Sequence, residues 1–254
     1  MKRVTIILPS AGDGKRLGAQ CPKELFEIYP GKKIIDFSLE HIKAFHDSKI
    51  RKELDIRIGV VVVIKPGKES VFRYVSEQLP NIAVNYVMFN NYFREWPGSV
   101  YSANNIFTEI NIVLLPDTFI KFGSNDMIYL NGDGDTLISK AANILEKEKV
   151  VFGVINCTDR KKLSSLGAVR VINDKIEYFT DKPKENLNKY NGFWGIYGFR
   201  YSVAEQLYEF LIDSVEKRES KEYLLAELDP KVFYIDSYHD LGTIESVDKF
   251  INSR

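Results

Sequence analysis

The sequence predicts one α/β domain with a mixed, mostly parallel central sheet flanked by helices. Short β-branched runs alternate with stretches of helical periodicity through the first half of the chain, which is the pattern of βαβ units. Closely spaced strand-like runs follow after residue 150. With 254 residues, 44% of them hydrophobic, the chain is long enough to bury the core of one medium-sized domain.

The first half begins with a continuously apolar run, as expected of a strand that is covered on both faces of a parallel sheet. Strands are predicted at residues 4–8, 58–64, 83–87 and 112–115. Helices are predicted at residues 34–44, 69–78 and 99–106, where apolar residues recur at helical spacing and Ser99 is a candidate cap. The alternation predicts that the carboxyl ends of these strands share one edge of the sheet.

The second half is richer in strands, which are predicted at residues 150–155, 168–172, 176–179 and 193–199. Asn173 and Asp174 are residue types that favour a tight hairpin turn between the second and third of them. Helices are predicted at residues 203–214 and 244–251. The sequence shows no internal repeat and no linker, which favours one domain.

The charge balance argues against several kinds of partner. Lys plus Arg and Asp plus Glu both total 35, so bulk charge indicates neither a nucleic-acid binder nor a membrane-surface binder. The apolar run at residues 4–8 is too short for a signal-peptide core or a membrane span. Cys21 and Cys157 lie far apart and lack the spacing of a zinc site or a disulfide framework, so we expect a cytoplasmic protein.

A glycine-rich loop directly follows the first predicted strand. Such a loop emerges where ligands of open α/β sheets bind, and Gly12 and Gly14 let the backbone approach a triphosphate closely. Arg16 adds a fork of donors that suits phosphate oxygens, and Lys23 can neutralise charge at a phosphorus under attack. The alternative interpretation is a surface turn with two solvated cations, since a single Gly-x-Gly is a weak signal.

The segment from Pro9 to Leu25 resembles the signature of nucleotidyltransferases with a GT-A-like Rossmann fold. That family includes sugar-1-phosphate thymidylyl- and uridylyltransferases and methylerythritol-phosphate cytidylyltransferases. The interval between Arg16 and Lys23 is most similar to the cytidylyltransferase branch, whereas Pro-Lys-Glu-Leu at residues 22–25 is more similar to uridylyltransferases. The resemblance implies that Arg16 holds the leaving pyrophosphate and Lys23 the α-phosphate, as catalytic residues. It also implies nucleotide contacts from Pro9, Ser10, Ala11, Gly12 and Gly14.

Two aspartates are candidate ligands of Mg²⁺. Asp117 follows the apolar run at residues 112–115, so we expect it at the same sheet edge as the glycine loop, where a carboxylate can bridge a metal and a nucleotide. Asp240 lies in Asp-Leu-Gly-Thr, which resembles the Asp-Ile-Gly-Thr of sugar nucleotidyltransferases and implies the second ligand. The alternatives are a turn residue after Pro116 and a turn or helix-start residue near Thr243.

Asp133-Gly134-Asp135 allows a different interpretation. An Asp-x-Asp after a strand is how GT-A glycosyltransferases hold a metal and a nucleotide sugar, which would make Asp133 and Asp135 the metal ligands. The surrounding Asn-Gly-Asp-Gly is also a strong turn sequence. We favour the turn, because the glycosyltransferase interpretation leaves Arg16 and Lys23 without a role.

The resemblance extends to the predicted acceptor side. The hairpin after residue 168 ends in Asp-Lys-Pro, similar to the family's Glu-Lys-Pro, which implies that Lys182 binds the phosphate of the acceptor as a catalytic residue. The resemblance also implies acceptor contacts from Gly167 and Trp194. Gly98 and Ser99 match the family segment that contacts the nucleotide base, but the usual glutamine or arginine of that segment is not evident here, so the identity of the base stays open.

The resemblance implies an enzyme that couples a nucleoside triphosphate, with a pyrimidine favoured, to a sugar 1-phosphate and releases pyrophosphate. We expect a nucleotide-binding half over residues 1–135, an acceptor-binding half over residues 136–254, and a possible homodimer. The alternatives are a cytidylyltransferase with a polyol, amino-alcohol or phosphonate acceptor, a glycosyltransferase, and a nucleotide-sensing module without turnover.

Overall fold

Nine strands form the central sheet in the computed structural model, which describes residues 2–14, 17–18, 21–90, 92–93, 95–123, 135–217 and 221–253. The strands of this sheet are β1 (Lys2–Pro9), β4 (Ile56–Ile64), β5 (Ala83–Met88), β6 (Ile110–Leu114), β8 (Val150–Asn156), β9 (Gly167–Ile172), β10 (Lys175–Asp181), β11 (Gly192–Arg200) and β12 (Lys231–Tyr234). Two short ribbons lie beside it, β2 (Glu27–Tyr29) with β3 (Lys32–Lys33), and β7 (Thr118–Lys121) with β13 (Ser237–Asp240). The helices are α1 (Asp36–Asp47), α2 (Lys49–Glu53), α3 (Glu69–Gln78), α4 (Trp96–Tyr101), α5 (Leu137–Leu145), α6 (Arg160–Leu163), α7 (Ala204–Ile212), α8 (Glu222–Leu228) and α9 (Ile244–Asn252).

A parallel group of strands occupies one side of the sheet. The strand order is β5-β4-β1-β6-β11-β8-β12-β10-β9. β1 pairs in parallel with β4 and with β6, and β5 pairs in parallel with β4. Because parallel strands end at the same edge, the chain leaves Pro9, Ile64, Met88 and Leu114 side by side there.

β11 extends this edge from the other side. It runs antiparallel to β6 and β8, so its first residues lie beside the carboxyl ends of those strands. β6 covers one edge of β11 only from Ile196 onward, and β9 pairs with β11 at Gly192 and Phe193. The β9–β10 hairpin therefore curls back beyond the end of β6. This brings Gly167, the first residue of β9, against Trp194 of β11.

Two apolar layers cover the sheet. Side chains of α1, α3 and α5, among them Phe45, Val71 and Ala141, pack on one face. Side chains of α4, α7 and α8, among them Val100 and Leu207, pack on the other. None of the helices in the described ranges is long and apolar enough to cross a membrane. The mixed sheet between two helical layers confirms the predicted fold class.

The last helix fixes the carboxyl-terminal segment to the loop after β1. Thr243 caps α9 through a capping box. Phe250 of α9 packs against Phe119 of β7 with ring centroids 5.0 Å apart. Leu241 and Leu17 are buried in the same cluster, at 0% and 1% exposure. The residues just before α9 are thereby held beside the glycine loop.

Most predicted elements are confirmed, often with ends that differ by a few residues. Strands predicted at residues 4–8, 58–64, 83–87 and 112–115 correspond to β1, β4, β5 and β6, and those predicted in the second half correspond to β8, β9, β10 and β11. The predicted hairpin turn is confirmed, since Asn173 and Asp174 adopt left-handed φ values of 49° and 58° between β9 and β10.

The helix predicted at residues 99–106 is wrong in its bounds. α4 covers Trp96–Tyr101, and its N-cap is Glu95 rather than Ser99. Pro97 lies in the first turn, where its fixed φ suits a helix start and its missing N–H costs nothing. The chain leaves the helix at Ser102, and a separate 3-10 turn covers Asn104–Ile106.

His41 of α1 is a buried residue. Its Nε2 lies 3.0 Å from the carbonyl oxygen of Ile120 in β7, and the residue is 3% exposed. Burial lowers the pKa of His41 to about 4, although the hydrogen bond to Ile120 opposes this shift. The folded protein therefore holds this imidazole in its neutral form at neutral pH.

We expect His41 to make the protein less stable in mild acid. In the unfolded chain its pKa is 6.5, so between about pH 6.5 and pH 4 the unfolded state binds the proton that the folded state excludes. The free energy of unfolding should fall by up to about 3 kcal/mol over that window. Urea unfolding from pH 7 to pH 4 measures this, and His41→Gln should flatten the profile.

Candidate active site

A cavity of about 350 Å³ opens at the sheet edge where the parallel strands end. Predicted site residues that line it are Pro9, Ala11, Gly12, Lys23, Ser99, Asp117, Gly167, Lys182, Trp194 and Asp240. The rest of its lining is Phe89, Glu95, Trp96, Leu115, Ser165, Leu166, Asp181 and Tyr238. A second cavity of about 500 Å³ lies at the opposite edge of the sheet, away from every described residue predicted for the site.

The glycine loop lies directly against Lys23. A β-carbon added to Gly12 would lie 3.6 Å from Nζ of Lys23, and one added to Gly14 would lie 3.0 Å from Cβ of Lys23. Gly14 also has a φ of 67°, which favours glycine. Arg16 lies outside the described residues, so its predicted grip on pyrophosphate stays a prediction.

Lys23 forms an ion pair with Asp117. Its Nζ donates to Oδ2 of Asp117 at 2.5 Å, and both side chains are mostly buried. Burial lowers the pKa of Lys23, but the attraction of Asp117 and two other carboxylates outweighs it, and the net shift is upward. Lys23 therefore carries a fixed positive charge at neutral pH, next to the glycine loop.

A second buried lysine fixes the turn that carries Lys23. Nζ of Lys68 donates to both carboxylate oxygens of Glu24 at 2.8 Å and to the carbonyl oxygen of Ser10 at 2.6 Å. Burial raises the pKa of Glu24 and lowers that of Lys68, and their mutual attraction opposes both shifts. The ammonium group thus joins the end of β1 to the residue that follows Lys23.

Ser10 consequently has its backbone in use. Its N–H donates to the carbonyl oxygen of Val63 at 2.8 Å, and its carbonyl accepts from Lys68. Its side chain is fully buried. Ser10, Gly14 and Gly98 are not among the described residues that line the cavity, so their predicted nucleotide contacts stay predictions.

Backbone pairing brings the two candidate metal ligands together. β7 begins one residue after Asp117, and its Thr118 pairs with Asp240 at the end of β13. The N–H of Leu241 donates to the carbonyl oxygen of Asp117 at 2.9 Å. Two aspartates more than 120 positions apart in the sequence therefore lie side by side at one end of the β7–β13 ribbon, Asp117 just before β7 and Asp240 at the end of β13.

These carboxylates share a small cradle around Gly242. A β-carbon added to Gly242 would lie 2.9 Å from Oδ1 of Asp240 and 3.5 Å from Oδ2 of Asp117. The N–H of Gly242 also donates to Oδ1 of Asp240 at 2.8 Å, which orients that carboxylate. Two carboxylates facing one space, open to further oxygen ligands, suit Mg²⁺. Within the described ranges, three or more acidic, His or Cys side chains do not cluster around one metal position, so the remaining ligands would be phosphate oxygens and water.

The opposite wall of the cavity carries Lys182 at the end of the β9–β10 hairpin. Its backbone is left-handed, with a φ of 50°, and its N–H donates to the carbonyl oxygen of Leu166 at 3.0 Å. A non-glycine residue in this region is uncommon and is held by its surroundings. Nζ of Lys182 lies 3.5 Å from Oδ2 of Asp181, which is 4% exposed, while the lysine side chain itself reaches solvent.

Two glycines predicted for the site let aromatic residues approach the backbone closely. A β-carbon at Gly167 would lie 2.0 Å from Nε1 of Trp194, so the indole occupies the space that any other residue would need. A β-carbon at Gly98 would lie 2.5 Å from Cβ of Phe93. Trp96, at the start of α4, packs on Trp194 with ring centroids 4.9 Å apart.

Only Asp135 of the Asp-x-Asp segment lies within the described residues. Asp133 and Gly134 lie outside the described residues. Asp135 is exposed, lies 3.9 Å from Nζ of Lys140, and does not line the cavity. The glycosyltransferase interpretation therefore gains no support from Asp135.

Sequence reasoning missed several residues of the site. Lys68 follows Lys65-Pro66-Gly67 at the end of β4, a position at the same sheet edge as the glycine loop, and that placement was the available signal. Glu24 lies inside the quoted Pro-Lys-Glu-Leu segment without having been given a role. Trp96 lies two residues before Gly98, in the segment that resembles the family's base-contacting segment, and Tyr238 lies two residues before Asp240. These positions were the available signals, although neither residue was given a role.

A glycine loop at the end of a buried strand, a charged lysine and two facing carboxylates form a site whose chemistry suits an anionic nucleotide and a metal ion. Comparison with known families agrees. Residues 4–252 match the family model described as nucleotidyl transferase, and the chain belongs to that family.

Individual relatives come from two branches. 2-C-methyl-D-erythritol 4-phosphate cytidylyltransferase of Clostridium perfringens is 30% identical over 128 residues, which is 50% of this chain and 52% of that protein. The chain thus matches about half the length of this curated relative. A putative glucose-1-phosphate thymidylyltransferase from Bacillus anthracis, solved with sucrose, superposes with a TM-score of 0.70 at 18% identity, covering 97% of this chain and 93% of that one. UDP-glucose pyrophosphorylase complexed with UDP-glucose also gives a TM-score of 0.70, at 14% identity and full coverage of both chains. These structures share the predicted GT-A-like fold.

We expect the Lys68–Glu24 pair to be essential for stability. Lys68→Met leaves the fully buried carboxylate of Glu24 without its partner, which should lower the free energy of unfolding by about 3–5 kcal/mol. Adding Glu24→Gln removes the stranded charge and should restore part of the loss. Urea unfolding of both single variants and the double variant measures the coupling. Additive effects would contradict a direct interaction.

Proposed function

We propose that this protein transfers a nucleoside monophosphate from a nucleoside triphosphate to the phosphate of a small acceptor, a sugar 1-phosphate, with release of pyrophosphate. The observation that carries the proposal is the convergence of Lys23, Asp117, Asp240 and Lys182 on one cavity at the carboxyl ends of the parallel strands. Membership of the nucleotidyl transferase family supports the same reaction class.

The reaction is an in-line displacement at the α-phosphorus. An oxygen of the acceptor phosphate forms the new bond to phosphorus, and the bond to the bridging oxygen of the β-phosphate breaks. The electron pair of that bond leaves with pyrophosphate. Because the attacking phosphate is already anionic, the step depends on positioning and charge neutralisation rather than on a strong base.

Three cationic side chains supply charge in this proposal. Lys23 binds the α-phosphate, where it offsets the charge that develops during attack, and the glycine loop against it is suited to the rest of the triphosphate. Arg16 holds the leaving pyrophosphate. Lys182 binds the acceptor phosphate from the opposite wall, and the strained backbone that presents it supports a functional role.

Asp117 and Asp240 would hold Mg²⁺ in the cradle around Gly242. The bound ion would lower the charge repulsion between the triphosphate and the incoming phosphate. In the free protein Lys23 partly neutralises the negative charge of the cradle, because its Nζ donates a hydrogen bond to Asp117. When the nucleotide binds, Lys23 moves its hydrogen bond from the carboxylate to the α-phosphate.

The identity of both substrates is part of the proposal. A pyrimidine nucleotide is supported by the matches to a cytidylyltransferase and to a UDP-glucose enzyme. Gly98 and Ser99 would lie near the base, and Gly167 and Trp194 near the acceptor, which divides the domain into nucleotide and acceptor halves at about residue 135. A cytoplasmic location is supported by two free cysteines, Cys21 and Cys157. The homodimer stays a prediction.

A second candidate is a cytidylyltransferase that uses a phosphorylated polyol, amino alcohol or phosphonate. The observation that favours it is the 30% identity to the methylerythritol-phosphate enzyme across half of the chain. One experiment separates the two candidates. Four nucleoside triphosphates are paired with sugar 1-phosphates and with non-sugar acceptors, and pyrophosphate release is followed through a coupled pyrophosphatase. Turnover confined to a sugar 1-phosphate supports the first candidate, and the absence of turnover with every pair would refute both.

We expect Lys23→Ala to lower turnover at least a hundredfold, because it removes the charge at the α-phosphate. Removal of one partner also leaves Asp117 unpaired, so the melting temperature must be measured alongside the rate. Lys184→Ala is the matched control, since that exposed lysine does not line the cavity. Full activity of a folded Lys23→Ala protein would contradict the assignment.

We expect Gly242→Ala to weaken metal binding selectively. Its methyl group would lie 2.9 Å from Oδ1 of Asp240, inside the cradle, and would crowd the ion. Titration with Mn²⁺ followed by electron paramagnetic resonance, and the Mg²⁺ dependence of turnover, should both shift at least tenfold toward higher metal concentration. EDTA should abolish turnover in the parent protein. Gly59→Ala on β4 is the control variant. Gly31→Ala is unsuitable, because the φ of 76° at Gly31 would strain any other residue.

A further inference from the structure

A third cavity, of about 280 Å³, lies on one face of the sheet near the amino ends of β1, β4 and β5. Among the described residues, its lining comes from these three strands and from Ile106 and Thr108, and it shares no residue with the candidate active site. β1 runs from this cavity to the candidate active site, and the chain from Arg3 to Pro9 spans about 20 Å. The two cavities therefore lie at opposite ends of the same strands.

Two arginines lie side by side in this third cavity, which we call the arginine cavity. Arg3 of β1 and Arg57 of β4 are directly paired residues of adjacent parallel strands, so their side chains leave the same face of the sheet about 5 Å apart. Within the described part of the chain, neither guanidinium group forms an ion pair, and no Asp or Glu lines the cavity. Like charges directly opposite each other destabilise a strand pair, so the cavity holds two positive charges that this part of the chain does not compensate.

Gly59 leaves the floor of the arginine cavity open. It lies inside β4, where its register with Thr5 of β1 and Ala83 of β5 is continuous and has no bulge. Apart from its chain neighbours, a β-carbon at Gly59 would meet one described atom within 4 Å, the carbonyl oxygen of Ala83 at 3.9 Å. Glycine weakens the interior of a strand and often marks a place where a ligand approaches closely. Because no contact within the described residues requires glycine here, the open floor indicates room for a bound group.

The donors of the arginine cavity restrict the chemistry of that group. The hydroxyls of Thr5 and Thr108 lie 2.9 Å apart and bind each other, which leaves three side-chain donors in the described lining. These donors are Arg3, Arg57 and the exposed amide of Asn85. Guanidinium groups donate but cannot accept, and their forked geometry matches the oxygens of a phosphate. A volume at the lower end of the range for small-molecule sites favours a small anion over a whole nucleotide.

We propose that the arginine cavity is a second ligand site, which binds a small phosphate-bearing anion between Arg3 and Arg57. One phosphate can accept hydrogen bonds from both guanidinium groups, because their strands are adjacent. The bound anion neutralises two charges that otherwise repel each other, and Asn85 adds a neutral donor from β5. Inorganic pyrophosphate and a small phosphate ester present the same kind of oxygens, so both are sources of this one ligand chemistry. The site is independent of the reaction proposed above, since the two cavities share no described residue.

NMR of the arginine side chains tests the proposal one residue at a time. The Nε–H signals of Arg3 and Arg57 are assigned in ¹⁵N-labelled protein from the spectra of Arg3→Gln and Arg57→Gln. Pyrophosphate and glycerol 3-phosphate are titrated separately, without divalent metal and with the ionic strength held constant by KCl. Both signals should shift along one saturating curve with a Kd below about 1 mM, and the anion that saturates them at the lower concentration identifies the source. Shifts that do not saturate, or that match the shift of the exposed Arg73 on α3, would overturn the proposal.

A charge-removing variant tests whether the two arginines bind the anion together. In Arg57→Gln, the Arg3 signal should need at least tenfold more pyrophosphate for half-saturation, because one guanidinium partner of the phosphate is lost. Arg73→Gln is the matched control on the opposite face of the sheet and should leave the Arg3 titration unchanged. Removal of one of two like charges should not lower the melting temperature of the free protein, so weaker binding reports a lost ligand contact. An unchanged Arg3 titration in Arg57→Gln would contradict a shared site.

Discussion

The pairing of β13 with β7 is the constraint on which the candidate active site depends. It carries Asp240 from the far end of the chain to Asp117, and the bond from Leu241 to the carbonyl of Asp117 fixes their register. A slip of one residue would turn every side chain of β13 to the opposite face. The packing of Phe250 on Phe119 holds this short ribbon in place, since a two-stranded ribbon alone is marginally stable.

Two ion pairs stabilise the candidate active site in the folded protein. Lys23 and Asp117 neutralise each other in the lining of the cavity. Lys68 and Glu24 neutralise each other in the interior, outside that lining. Lys23 and Asp117 can exchange their mutual contact for contacts with a ligand, because both residues line the cavity. The Lys68–Glu24 pair is buried, and Lys68 also donates a hydrogen bond to the carbonyl oxygen of Ser10. This pair therefore supports the turn. Neighbouring positions in one turn are thus assigned different roles, since Lys23 is proposed to serve the reaction whereas Glu24 supports the fold.

Much of this arrangement follows from local sequence signals. The β-branched runs identify β1, β4 and β6, and a glycine loop or an aspartate at the end of such a strand must lie at one sheet edge. The family resemblance added Asp240, Lys182 and Trp194, which line the same cavity as the loop. Ser99 shows the limit of local reasoning, because its position near a helix start suggested a cap, whereas the helix already begins at Trp96 with Pro97 in its first turn.

The sequence by itself determined the α/β class, the main strands, the hairpin at Asn173-Asp174 and the residue types suited to phosphate and metal. Tertiary structure decided the closure of β9 onto β11, the β7–β13 ribbon, the partner of Lys68 and the meeting of the two tryptophans. The physical reason is range: hydrophobic periodicity and turn propensity act between near neighbours, whereas these contacts join segments tens to more than a hundred residues apart. Their energies appear only once the sheet has fixed which strand ends are neighbours.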